Sequence, residues 1–127
     1  MQTLLCVAAG GALGASGRYL VGIASGRLFG LDFPWGTLIV NVLGCLLFGL
    51  LVGWWGERAA IPEALRLGIF VGFLGSLTTF STYGADTVQL GQSGALPAAF
   101  TNVVLHNGLG LVAVWIGFRA AAFLGRM

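Results

Sequence analysis

The chain has 127 residues, 57% of them hydrophobic and only 8% charged, with 22 glycines and a formal net charge of +2. A soluble domain of this size carries about a quarter charged residues, so a mean hydropathy of +0.95 excludes a water-dispersed surface and points to lipid as the solvent. The basic residues are all arginines and form no run or aromatic-interleaved patch, which excludes nucleic acid as a partner.

A spanning helix takes roughly 20 mostly apolar residues, and four such stretches follow in chain order. The first runs from about Thr3 to Ile23. It lacks a basic leader and an A-x-A-like site, so it reads as a retained helix and not a cleaved signal. Spacing of four residues collects Gly10, Gly14 and Arg18 on one face. Arg18 falls near the end of this stretch, where a long cationic side chain snorkels to the interface. The second stretch, from about Gly36 to Trp55, has a stripe of Thr37, Asn41, Cys45, Gly49 and Gly53. Small residues at this spacing let helix backbones approach closely in lipid. Asn41 is different, because an amide in hydrocarbon is costly without a partner. It is either a link between helices or part of a polar path. Cys6 and Cys45 lie in separate apolar stretches and read as free, small side chains, neither disulfide nor metal site.

The third stretch runs from about Ala64 to Leu90 and contains "GFLGSLTTFSTYG", Gly72 to Gly84. Five hydroxyls, Ser76, Thr78, Thr79, Ser81 and Thr82, stand here where hydrocarbon is expected. Gly72, Gly75 and the β-branched pair Thr78 and Thr79 predict a local unwinding. Non-helical backbone at membrane depth persists only when buried in protein or lining a wet cavity. An unwound turn exposes carbonyl oxygens, which suit a hard cation such as sodium. The Ser81 and Thr82 hydroxyls are hydrogen-bond donors, as an anion requires. Phe80 and Tyr83 are spaced to project on one face, and ring edges are the positive side of the aromatic quadrupole. The plainer alternative is hydroxyls bonded back to helical carbonyls beside two packing rings.

The fourth stretch, from about Leu96 to Leu124, has Asn102, His106 and Gly110 on one face. For His106 an interhelical hydrogen bond is preferred over a proton relay, because no carboxylate shares its face. A Ser81, His106 and Asp86 triad lacks any G-x-S-x-G elbow, and Asp86 is expected near the membrane edge. Trp35, Trp54, Trp55 and Trp115 are expected near helix ends as an aromatic belt. The connections are short, and no Walker loop calls for a nucleotide. Residues 1–127 thus read as one four-helix membrane domain with both termini on the same side. Arg58, Arg66, Arg119 and Arg126 on that side, against Arg27 and Arg18, give a weak orientation bias and leave room for insertion both ways.

The sequence resembles the Fluc (CrcB) fluoride channel family over nearly its whole length. The resemblance rests on "GGALGASGRYL" in the first helix, "PWGTLIVNVLG" opening the second and "GFLGSLTTFSTYG" in the third. It implies an all-α membrane protein of four transmembrane helices, the third broken near its middle, assembled as an antiparallel, dual-topology homodimer with two fluoride pores. It further implies a structural sodium ion held by main-chain carbonyls of Gly75 and Thr78 from each subunit. The fluoride pathway falls on Asn41, Phe80, Ser81, Thr82 and Tyr83, with Arg18, Thr79 and His106 in support. This chain departs from the family pattern at Tyr83, where phenylalanine is usual, and at Ser76, where glycine is usual. Asp86 stands for a glutamate, and Gly110 and Val114 stand where many members keep a pore hydroxyl.

The resulting expectation is a passive fluoride channel in the cell (inner or plasma) membrane, not an enzyme, with fluoride, lipid and a second copy of itself as partners. The alternative is a small multidrug-resistance-type, proton-coupled exporter. That class depends on a carboxylate in its first helix, and Thr3 to Ile23 contains none.

Overall fold

A computed structural model describes residues 1–55 and 61–125 of the chain. The described elements are helices α1 (Gln2–Phe29), α2 (Trp35–Trp55) and α3 (Glu63–Leu67), a π-helical segment (Gly68–Leu74), and helices α4 (Gly75–Leu77), α5 (Phe80–Gln92) and α6 (Leu96–Leu124). Among the described residues, four stretches are long and apolar enough to cross a membrane: Gln2–Phe29, Trp35–Trp55, Glu63–Gln92 and Leu96–Leu124. This is an all-helical, multi-pass membrane protein. Its surface agrees with that solvent, since large apolar side chains such as Leu13, Phe100 and Trp115 face outward.

Helix α1 outruns the sequence reading by about two turns, because nothing after Ile23 breaks a helix until Gly30. That residue has φ 81°, open to glycine without strain. Arg18 consequently lies inside α1 and not near its end. Gly94, at φ 84°, turns the chain between α5 and α6, and Pro97 occupies the first turn of α6, where its missing N–H is not needed. Trp115 lies well inside α6, so it is no helix-end residue, unlike Trp35, Trp54 and Trp55. Arg58 and Arg126 of the orientation argument lie outside the described residues.

The elements pack mainly in two pairs, α1 against the 68–77 segment and α2 against α6. Both pairs depend on missing side chains. A Cβ at Gly10 would run into the Gly68 carbonyl, and one at Gly14 into the Phe73 carbonyl. Likewise a Cβ at Gly49 would meet the Val114 carbonyl, and one at Gly117 the Leu46 carbonyl. In lipid no hydrophobic effect drives helices together, so dispersion at such close backbone contact does. Val40, Leu74 and Leu77 form the buried apolar centre, with Phe70 and Phe73 packed on it. Phe70 also meets Phe48 edge-on, with ring centroids 5.2 Å apart. In the π-helical segment the ladder is one residue wider than an α-helix, and the Gly75 N–H still reaches back to the Phe70 carbonyl.

Candidate functional site

Helical geometry lapses between α4 and α5. Thr78 has φ −86°, ψ 157° and Thr79 has φ −154°, ψ 115°, both extended. The side chain of Asn41, reaching across from α2, bonds to both backbone groups of Thr79. The Thr79 N–H donates to Asn41 Oδ1 at 2.8 Å, and Asn41 Nδ2 donates to the Thr79 carbonyl at 3.1 Å. One primary amide thus replaces the helical partners of an extended residue, which a buried backbone demands. Thr79 then caps α5. Its Oγ1 accepts from the Thr82 N–H at 3.2 Å.

This arrangement separates the carbonyls around the end of α4 from their helical donors, those of Gly75 and Thr78 among them. In a continuous helix the Thr79 N–H would donate to Gly75 and the Thr82 N–H to Thr78. Those donors go to Asn41 Oδ1 and Thr79 Oγ1. Thr78 itself bonds its hydroxyl back to the Leu74 carbonyl at 2.9 Å. The cluster hydroxyls are ordered as well. Thr79 Oγ1 donates its single hydrogen to Thr82 Oγ1 at 3.0 Å, so the Ser81 hydroxyl, 3.1 Å away, donates to Thr79. The Thr82 hydrogen is left for another acceptor.

Two open cavities meet at Thr79. One, of about 500 Å³, is lined by Arg18, Asp32, Thr37, Thr79, Thr82, Asp86 and Gln89 among others. The other, of about 440 Å³, is lined by Asn41, Cys45, Gly75, Thr78, Phe80, Tyr83, His106 and Asn107 among others. The site residues named from the sequence therefore divide. Arg18 and Thr82 face the first cavity, while Asn41, Gly75, Thr78, Phe80, Tyr83 and His106 face the second. Ser81 lines neither. The Phe80 and Tyr83 rings lie 5.4 Å apart at 59°, and the Tyr83 ring lies 4.4 Å from that of His106. Asn107 Nδ2 reaches the Tyr83 hydroxyl at 3.3 Å.

Among the described residues His106 makes no interhelical hydrogen bond. Its Nδ1 lies 3.0 Å from the Asn102 carbonyl of its own helix, and its Nε2 is buried with no hydrogen-bond partner among the described residues. A ring nitrogen at that spacing finds the preceding turn's carbonyl before it finds another helix. Sequence reasoning also missed two polar pairs. The Thr37 hydroxyl donates to Asp86 Oδ2 at 2.8 Å, so Asp86 faces the protein. Asn102, fully buried, donates from Nδ2 to Thr87 Oγ1 at 2.8 Å. Thr82 and Asp86, one turn apart, could be read as sharing a face of α5, but nothing in the sequence singled out Thr37 as the partner.

The whole chain has known likenesses. A family model described as CrcB-like protein, Camphor Resistance (CrcB), matches residues 5–118. The chain is 50% identical over 115 residues to "Fluoride-specific ion channel FluC 2" of Symbiobacterium thermophilum, covering 91% of this chain and 94% of that one. It is 44% identical over 124 residues to "Fluoride-specific ion channel FluC" of a Geobacter species, 98% of this chain and 100% of the relative. A protein of the same name from Vibrio parahaemolyticus is 46% identical over 113 residues, 89% of each chain.

Proposed function

We propose that this chain, which belongs to the CrcB-like protein family, is a fluoride-specific ion channel and not an enzyme. The observation that carries the reading is near-full-length similarity to relatives that bear that name. The fluoride is taken to leave the cell passively through the inner or plasma membrane. Phe80 and Tyr83 would offer ring edges and Thr82 a free hydroxyl hydrogen to the ion. Ser81, whose hydrogen goes to Thr79, would act by orienting that cluster. A path of neutral donors holds an anion weakly enough to release it.

We further infer a structural sodium ion on the carbonyls of Gly75 and Thr78. What supports it is that both carbonyls lose their helical donors to Asn41 and Thr79, and hard cations take such oxygens. A second copy of the chain, inserted antiparallel, would complete the site. Phe80 is 82% exposed, and Ser81 and Asn107 are exposed on spanning elements. Hydroxyl and amide groups against hydrocarbon are costly, so a protein surface is the better cover for that face. The whole chain would act as a single unit of that dimer. An exporter of the small multidrug-resistance type is disfavoured because α1 contains no carboxylate.

The test is fluoride efflux from liposomes that hold only the purified protein. Efflux of fluoride far exceeding that of chloride is expected. Equal fluxes of the two anions would overturn the reading.

A further inference from the structure

Most side-chain hydrogens around the second cavity have a protein acceptor. The Thr78 hydroxyl donates to the Leu74 carbonyl and that of Thr79 to Thr82 Oγ1. Asn107 Nδ2 carries two hydrogens. One goes to the Val103 carbonyl at 2.8 Å and the other to the Tyr83 hydroxyl oxygen at 3.3 Å. His106 Nδ1 faces the Asn102 carbonyl at 3.0 Å, and Asn41 Nδ2 gives one of its two hydrogens to the Thr79 carbonyl.

Tyr83 is the exception. Its hydroxyl oxygen accepts from an amide nitrogen, which takes no hydrogen in return. His106 Nε2, on the neighbouring ring, has no hydrogen-bond partner and so does not take the phenol hydrogen either. Among the described residues that hydrogen therefore has no acceptor. The hydroxyl is also within reach of an ion. Tyr83 is half-buried, its partner Asn107 is exposed, and both line the cavity. No carboxylate lines it, so no fixed negative charge there competes with an incoming anion for the donor. The remaining free donors are the second Nδ2 hydrogen of Asn41 and the Cys45 thiol, a weak donor.

We propose that the Tyr83 hydroxyl donates its hydrogen directly to fluoride in this cavity, which makes Tyr83 a specificity-determining residue as well as a ring at the pathway. The inference rests on the fluoride reading above and names the atom that binds. A hydroxyl hydrogen bonds most strongly to a small acceptor with a full negative charge. Fluoride is such an acceptor, and chloride, larger and more diffuse, is a poorer one. The free hydrogen of Thr82 stands on the side of the first cavity, so consecutive residues of α5 offer a hydroxyl to each of the two cavities that meet at Thr79.

The chain contains two tyrosines, and Tyr19 lies exposed on α1. In full-length protein labelled with carbon-13 at tyrosine Cζ and held in lipid bilayers, the resonance that survives Tyr19→Phe is that of Tyr83. Titration with sodium fluoride should move that resonance to a plateau, while matched sodium chloride should leave it in place. In liposomes, Tyr83→Phe should raise the fluoride concentration that half-saturates efflux by roughly tenfold, the loss of one hydrogen bond to an ion. A Tyr83 resonance that fluoride does not move, as when an acceptor on a second copy holds the hydrogen, would overturn the proposal. So would an unchanged half-saturating concentration in Tyr83→Phe. Absent efflux by the unaltered protein would overturn the channel reading instead, while a saturable shift specific to fluoride would still uphold the site.

Discussion

Asn41 shows how a single amide can hold an irregular backbone in a membrane. It needs both of its functional atoms, because Thr79 presents a donor and an acceptor together. Asn41→Asp would keep the bond from the Thr79 N–H but set a second oxygen against the Thr79 carbonyl. The loss of that bond and the facing oxygens should cost about 1–3 kcal/mol and stop fluoride efflux. A thermal-unfolding scan beside the liposome assay measures both, and normal efflux would remove Asn41 from the pathway. Tyr83 and Phe80 invite a paired test. The tyrosine hydroxyl has only a 3.3 Å contact from an exposed amide, so Tyr83→Phe should still conduct, at a changed rate. Phe80→Ile removes a ring edge from the cavity and should conduct poorly or not at all in the same assay. Asn41 was legible as an anomalous residue in a small-residue stripe. Its partner was not, because the groups it bonds belong to the backbone of Thr79 and carry no residue-type signal. The same holds for His106, whose Nδ1 partner is a main-chain carbonyl.

The existence of four spans could be read at once from hydropathy, since few charges interrupt them. Their ends were less legible. Residues such as Ser25 and Gly26 lower hydropathy without breaking a helix, and α1 runs on to Phe29. Pairing of elements was legible only as stripes. Those stripes gain their meaning from what lies opposite, the Gly68 and Phe73 carbonyls for Gly10 and Gly14. Gly14→Ala should therefore force α1 away from the 68–77 segment and lower the thermal midpoint or prevent folding. Gly91→Ala is the control, since its Cβ meets nothing within 4 Å and alanine is the better helix former by up to about 1 kcal/mol. Equal stability of the two variants in the same detergent would show that this packing is slack.

At the scale of the molecule, the channel reading makes cation dependence a consequence of backbone geometry. On the proposed reading, sodium takes the place of the helical donors that the Gly75 and Thr78 carbonyls have lost, so replacing sodium throughout by a large organic cation should abolish efflux. Restoring sodium should restore it, and undiminished efflux without sodium would argue against a required ion. The wide helical turn at Gly68–Leu74 has a consequence for the length of the chain. A turn closed five residues apart holds one residue more than a turn closed four apart. The stretch therefore behaves as an insertion that the helix has absorbed, leaving the flanks in register. Removing one residue there would let the segment close to ordinary α geometry with its flanks kept in register. The same deletion within α5 would swing every later side chain of that helix by about 100°, and no neighbouring contact could follow it.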